Sequence, residues 1–188
     1  MSRFAVLVVV VGSLTCLMAQ PRYAADGQLT LPSDYREWVF LSSGLGMTYQ
    51  ESPSRPPAFT NVFVNPAPYR SFLATGTWPD KTTLVLEVRG SSSQGSINRG
   101  GSYQSDVIAI EAEVKDTAKF PGKGWAFFAF GQSSLGKLLP RSADCYGCHL
   151  SHGAVDNTFV QFYPALMEIA RQKGTLTPAY LHESGARR

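Results

Sequence analysis

The run Cys145-Tyr146-Gly147-Cys148-His149 constrains this chain more than any other feature of its 188 residues. It places two thiols and an imidazole within little more than one helical turn. Such a group has three chemical uses in proteins: a redox dithiol, part of a zinc site, or covalent attachment of haem. Which of them applies depends on the compartment and on the other ligands that the chain offers.

The N-terminus has the layout of a secretory signal peptide. Residues 1–3 form a short basic start, residues 4–18 are almost wholly apolar, and small residues follow at Ala19 and at Ala24-Ala25. The apolar run is about 15 residues, short of the roughly 20 that a membrane-spanning helix needs, although an uncleaved anchor is the alternative. We predict a signal peptide over residues 1–25, cleaved after about residue 19 to 25, and one domain over residues 26–188. We assign Cys16 to the peptide and not to a lipoprotein site.

In an exported chain the cysteine motif favours haem over the other two uses. A thioredoxin-like dithiol follows a strand in a βαβ unit, and the sequence shows no such unit. A closed zinc site needs four ligands, and only His152 and His182 are available to join His149. We therefore predict one haem c per chain, attached to Cys145 and Cys148, with His149 as the proximal ligand of the iron.

Composition excludes one class of partner and leaves the core chemistry open. The formal net charge is +3, charged residues make up 16% of the chain, and no Lys/Arg run resembles a nucleic-acid-binding stripe. We therefore expect no nucleic-acid partner. Aromatic residues make up 12%, which suits a large apolar prosthetic group and suits a phenylalanine-rich core equally well.

The pattern of apolar residues predicts an α+β fold built on an antiparallel β-sheet with short flanking helices in a single domain. We predict strands over residues 59–65, 82–89, 107–114 and 125–131, the last of them buried on both faces. We predict short helices over residues 35–38, 68–74 and 164–173. Residues 44–57 are predicted as loop, 90–105 as a flexible surface loop, 132–143 as a connector, and the tail beyond Pro178 as loose.

The sixth coordination position of the iron decides the function, and the sequence offers no strong ligand for it. His152 is too close to His149 to reach the opposite haem face, and Met167 lies on a predicted helix where core packing explains it. Met47 in a loop and His182 in the tail remain. We therefore predict an open or weakly filled distal site, which permits binding of small molecules.

Seven segments occur in an order and spacing that point to a known family. They are residues 31–38, 62–66, 75–80, 110–116, 124–128, 145–149 and 159–164. On these segments the chain resembles the cytochrome P-460 family, which includes the cytochromes c′-beta. The resemblance implies an antiparallel sheet carrying one haem, a homodimer, a pentacoordinate iron with His149 on its proximal side, and a periplasmic location.

The family resemblance also divides the possible functions. Cytochromes P-460 oxidise hydroxylamine and carry a lysine bound to the haem ring, whereas cytochromes c′-beta lack that lysine and bind nitric oxide or carbon monoxide. The matching position here is Leu86, residues 82–114 contain no lysine, and Lys81 is the nearest one. We therefore predict a binding protein for nitric oxide or a similar ligand. The alternatives are a hydroxylamine oxidoreductase and an electron-transfer cytochrome with a periplasmic partner.

The resemblance suggests three distal residues. Glu111 matches the family's distal carboxylate and is predicted to accept protons; the alternative is a solvent-facing strand residue like Glu113, two positions along on the same side. Leu86 and Phe63 are predicted to give the distal pocket an apolar lining, which favours neutral gases over bound oxygen. The alternative for both is that they fill the sheet core.

Overall fold

The protein folds around one antiparallel sheet. The structure, a computed structural model, describes residues 20–48 and 56–185. Within them seven strands pair in the order β1-β7-β6-β5-β4-β3-β2. The strands are β1 (Leu29–Thr30), β2 (Val39–Leu45), β3 (Phe59–Val64), β4 (Thr83–Ser92), β5 (Tyr103–Lys115), β6 (Trp125–Ala129) and β7 (Leu135–Leu138). The predicted α+β class is confirmed.

Short helices accompany the sheet, and local signals fix their ends. They are α1 (Pro66–Thr75), α2 (Asp144–His152), α3 (Pro164–Lys173) and α4 (Pro178–Glu183), with single 3₁₀ turns at Tyr35–Glu37 and Val160–Phe162. A proline opens α1 and α3, where its missing N–H is not needed. Gly76 and Gly174 end these two helices with φ of 74° and 67°, which glycine adopts without strain. None of the described helices is both long and apolar enough to span a bilayer.

The sheet buries apolar side chains on both of its faces. On one face, Leu84 and Trp125 pack with residues of α1 and α3, such as Phe72 and Leu166. On the other face lies a second core, formed by Leu29, Tyr35, Trp38, Val85, Ala112, Val114, Phe120, Ala126, Phe128 and Phe130. Since successive strand residues point to opposite faces, the run from Trp125 to Phe128 is buried on both sides, as predicted.

The sheet is larger than predicted. Strands β4 and β5 continue to the pair Ser92 and Tyr103, so both ends of the predicted loop 90–105 are strand, and residues 93–102 connect the two. Strand β7 lies in the predicted connector, and β2 ends in the predicted loop. Serine and glycine in these segments have low strand propensity, and pairing with a neighbouring strand overrides it.

The ends of the described chain are also more ordered than predicted. The tail beyond Pro178 was predicted to be loose, yet it forms α4, whose first turn is capped by the Thr177 hydroxyl accepting from the Tyr180 N–H at 3.2 Å. Near the N-terminus, the Tyr23 ring packs against Phe120 and Phe128. Most of the predicted signal peptide, residues 1–19, lies outside the described residues.

Candidate haem site

Helix α2 carries the whole cysteine motif on one side. Cys145 precedes Cys148 by three residues and His149 by four, and these spacings bring side chains to the same helix face. The His149 ring lies between two aromatic rings, with centroid distances of 4.6 Å to Phe127 and 4.2 Å to Phe159. Phe127 belongs to β6, so the motif is fixed against the sheet face that the helices cover.

The imidazole of His149 is oriented by a backbone carbonyl. Its Nδ1 lies 2.8 Å from the carbonyl oxygen of Asn157. A carbonyl can only accept, so Nδ1 carries a proton, and Nε2 is the nitrogen that would bind a metal once it is deprotonated. In proximal histidines this arrangement fixes both the tautomer and the ring orientation.

The Asn157 carbonyl is presented by a tight turn directly after α2. Val155 and Thr158 pair as an antiparallel bridge, and the two residues between them, Asp156 and Asn157, have φ of 47° and 64°. Positive φ at both central positions is what a type I′ turn requires, and Asp and Asn tolerate it well.

Two side-chain contacts hold this turn in place, and a glycine lets it lie close to α2. Lys115 forms an ion pair with the Asp156 carboxylate, and the Trp78 indole N–H donates to the Thr158 hydroxyl at 2.8 Å. At Gly153 a Cβ would lie 2.6 Å from the carbonyl oxygen of His149 and 2.8 Å from the carbonyl carbon of Asn157. Glycine is therefore required for the turn to approach α2 so closely.

Glu113 is buried beside the same imidazole. Only 8% of the residue is exposed, and its Oε2 lies 3.2 Å from His149 Nδ1. Glu113 was predicted to face solvent with Glu111, and this was wrong, because α2 and the turn after it cover this part of β5. Burial by itself lowers the pKa of His149, but the Glu113 carboxylate, the Asn157 carbonyl and the charge of Glu111 together outweigh it, so the pKa lies above its usual value.

Neither Cys145 nor Cys148 forms a disulfide, and the pKa of each thiol is raised. Burial raises the pKa of Cys145, with the charge of Glu111 as the next cause, and burial likewise raises the pKa of Cys148. Redox dithiols have lowered pKa values, because the thiolate is the reactive form. The raised pKa values of Cys145 and Cys148 therefore argue against a redox dithiol.

Leu86 and Glu111 lie on the same sheet face as Phe127 and Glu113. They are direct cross-strand partners on β4 and β5. Solvent reaches the Glu111 side chain, yet the surrounding protein partly desolvates its carboxyl and raises its pKa, which the charge of His149 only partly offsets. Leu86 and Glu111 are therefore neighbours on the face of the sheet that carries the cysteine motif.

Next to Glu111 the sheet leaves apolar surface incompletely covered. Three side chains of this face are only half-buried: Val62, Leu86 and Val88. By contrast Leu84, two residues from Leu86 on the same face, is fully packed. A flat apolar group lying beside α2 would cover the half-buried side chains.

Phe63 does not join this group. It pairs with Val85, one residue before Leu86, and so points to the opposite face of the sheet. There its ring packs against Tyr35 and Phe40 at 5.7 Å from each. The prediction that Phe63 lines a pocket with Leu86 is therefore corrected: Phe63 is part of the second core.

The four predicted candidates for a sixth ligand are spread over the molecule. Met167 is buried in the core of the helix-covered face. His152 is on α2 itself and contacts Glu183 at 3.0 Å. Met47 is exposed after β2, and His182 is exposed on α4.

Sequence reasoning missed the two groups that contact His149 Nδ1. The Asp156-Asn157 pair is a recognisable signal for a turn with positive φ, but its position against His149 depends on tertiary packing. For Glu113, sequence reasoning predicted the correct face of the sheet but the wrong burial. It also missed a buried carboxylate on the opposite face, Glu87, which accepts from Tyr35, Arg36 and Arg89.

These features together fit a haem-binding protein. The helix offers two neutral thiols and an imidazole with Nε2 available, and half-buried apolar side chains lie on the adjacent sheet face. Comparison with known proteins agrees: the cytochrome P460 family profile matches residues 32–160, more than half of the chain. The chain therefore belongs to the cytochrome P460 family and is a haem protein. No curated protein is significantly similar to it.

Proposed function

We propose that this protein is a periplasmic c-type cytochrome that binds nitric oxide or a similar small ligand on a pentacoordinate iron. In this proposal one haem per chain is attached through Cys145 and Cys148, and His149 is the proximal ligand. The observation that carries it is the bond between His149 Nδ1 and the Asn157 carbonyl, which leaves Nε2 for the iron.

The distal chemistry is proposed from the side chains beside the motif. When bound, haem supplies an iron with one open coordination position. Leu86 contributes apolar cover and has no donor to stabilise a polar ligand, so a neutral gas is favoured. Met167 is buried in the core, His152 contacts Glu183, and Met47 and His182 are exposed, which supports leaving the sixth position open.

A second candidate, hydroxylamine oxidation of the P-460 type, is favoured by one observation. Glu111 is partly desolvated, and its raised pKa suits a group that accepts a proton from a nitrogen substrate. Against it, the predicted cross-linking position holds Leu86. Lys81 is the nearest alternative, and its ammonium group is bound to the Asp116 carboxylate, with Asp80 at 3.6 Å.

We propose the remaining features on family membership and the N-terminal sequence. The protein is exported to the periplasm, forms a homodimer, and exchanges electrons with a periplasmic partner when the iron changes oxidation state. Sedimentation of the holoprotein tests the homodimer, and fractionation of cells tests the location.

The decisive experiment is the absorption spectrum of the holoprotein made with haem-maturation machinery. It is recorded oxidised, reduced, and reduced with nitric oxide. We expect a high-spin c-type spectrum that changes strongly when the gas is added. An unchanged spectrum would refute gas binding, and a strongly red-shifted ferrous Soret band would favour the cross-linked, hydroxylamine-oxidising alternative.

A matched variant identifies the attachment residues. Cys148→Ala leaves one thioether at Cys145 and shifts the pyridine haemochrome band toward longer wavelength. The exposed Ser151→Ala, on the same helix, serves as the control and leaves the band in place.

A further inference from the structure

Two glutamates are buried in the sheet, and their surroundings differ. Glu87 is enclosed by donors: Tyr35, Arg36 and Arg89. Glu113 is also buried, yet its Oε2 accepts no hydrogen bond among the described residues. Of these residues, only His149 brings a basic nitrogen within ion-pair distance of it. Because an uncompensated buried carboxylate is unfavourable, Glu113 depends on this imidazole for its electrostatic partner.

The Glu113 carboxylate lies on the Nδ1 side of the ring, whereas an iron would be bound through Nε2. His149 Nδ1 has one proton and two acceptors, the Asn157 carbonyl at 2.8 Å and Glu113 Oε2 at 3.2 Å. The first contact is aligned as a hydrogen bond and the second is not. The ring cannot turn freely between them, because Phe127 and Phe159 pack against it. Glu113 therefore acts on the N–H mainly through its charge.

We propose that Glu113 is a positioning residue that sets the reduction potential of the haem iron through His149. This inference rests on the proposed role of His149 as the proximal ligand. A full negative charge beside the Nδ1 proton polarises the N–H bond more than a neutral carbonyl does. The imidazole becomes a stronger electron donor at Nε2, which stabilises the ferric over the ferrous iron.

The charge is effective because it is buried. Little solvent separates Glu113 from the ring, so the interaction is screened much less than one between exposed groups. The exposed pair of His152 on α2 and Glu183 on α4 gives the opposite case, since about half of each side chain is accessible. Comparing Glu113 with Glu183 therefore separates the effect of charge alone from the effect of contact with His149.

The test is redox titration of the purified holoprotein and its Glu113→Gln variant. Glutamine keeps the size of the side chain and removes the charge. We expect the ferric-to-ferrous equilibrium to shift about tenfold toward the ferrous form, a rise of about 59 mV for a one-electron couple. Glu183→Gln removes the same charge near α2 without touching His149, and we expect a several-fold smaller shift.

A second measurement reports on the iron–histidine bond directly. Resonance Raman spectra of the ferrous holoprotein should show the iron–histidine stretch at lower frequency in Glu113→Gln than in the wild type. If that variant does not fold, Glu113→Asp keeps the charge and withdraws it by one methylene group. The aspartate variant is expected to give a smaller shift of both quantities in the same direction.

The possible failures are distinguishable. Haem staining of a denaturing gel shows first whether haem is covalently attached, and its absence would overturn the proposed function and this inference together. With haem attached, a potential and a stretch that match the wild type in Glu113→Gln, or in Glu113→Asp where only that variant folds, overturn the role of Glu113 alone. An equal shift in Glu113→Gln and Glu183→Gln also overturns it, because general charge would then be the cause.

Discussion

Leu86 and Glu111 face each other across strands β4 and β5, on the side of the sheet that carries the cysteine motif. An apolar side chain and a partly desolvated carboxyl are thus direct neighbours. Leu86 is the apolar cover in the gas-binding proposal, and Glu111 is the proton acceptor in the hydroxylamine-oxidising alternative. Replacing each of them separately distinguishes these two roles.

Replacing Glu111 by glutamine should change how stability depends on pH. The pKa of Glu111 in the folded protein lies above its ordinary value of 4.5, mainly because of burial. Its stabilising contribution is therefore complete below pH 4.5 and is lost as the pH rises through the folded-state pKa. Glu111→Gln should gain stability relative to the wild type over that window, measured by urea unfolding of the holoprotein. The exposed Glu168→Gln on α3 is the control, and a pH-independent difference would contradict the prediction.

Replacing Leu86 by alanine should open the proposed distal site. The side chain is half-buried, so the loss of stability should be about 2 kcal/mol, the lower end for buried leucine. Carbon monoxide should then bind the ferrous iron faster, as flash photolysis measures. The exposed Leu150→Ala on α2 should leave the rate unchanged. An unaltered rate in Leu86→Ala would place this side chain away from the path of the ligand.

Two glycine-to-alanine changes should have opposite effects. At Gly153 the added methyl group meets the backbone of His149 and Asn157 at under 3 Å, so the turn must move. Gly153→Ala should destabilise the protein and alter the iron–histidine stretch. At Gly147 nothing lies within 4 Å, and Gly147→Ala should stabilise α2 by about 0.5–1 kcal/mol. Thermal unfolding of both variants measures the direction of each stability change. Destabilisation by both substitutions would contradict the prediction that the loss at Gly153 comes from its close contact with the turn.

The position of Tyr23 predicts the mature N-terminus. Cleavage after Ala19 retains Tyr23, whose ring packs on Phe120 and Phe128, whereas cleavage near Ala25 removes it. We expect the exported protein to begin at Gln20. Intact mass and N-terminal sequencing of protein from the periplasm test this, and a start beyond Tyr23 would contradict it.

The sequence predicted the features that depend on local pattern. Apolar patterning identified β3, β4 and β5, the aromatic run identified β6, and the proline and glycine at the two ends identified α3. Among the segments it missed, β2 and β7 contain serine and glycine and are strands because of the neighbour they pair with. The strand propensities of the residues alone do not predict which neighbour each segment pairs with.

The sequence likewise predicted the part of the candidate site that lies on one segment, but not the parts that depend on tertiary packing. The spacing of Cys145, Cys148 and His149 requires only one helix, so the sequence was enough to group them. Phe63 and Leu86 lie on different strands, and their relative direction depends on register: a shift by one residue exchanges the two faces. The burial of Glu113 depends on where the turn after α2 packs, which no local pattern encodes.

The turn at Asp156 and Asn157 has a consequence for how this protein can vary over evolution. The acceptor it offers to His149 is a main-chain oxygen, which every amino acid possesses, so exchange of the Asn157 side chain alone does not remove it. Glu113 is the other neighbour of the same nitrogen, and a single codon change can alter it. The hydrogen bond to the imidazole therefore survives any side-chain exchange at position 157 that keeps the turn, whereas the charge beside it changes with a single substitution at position 113.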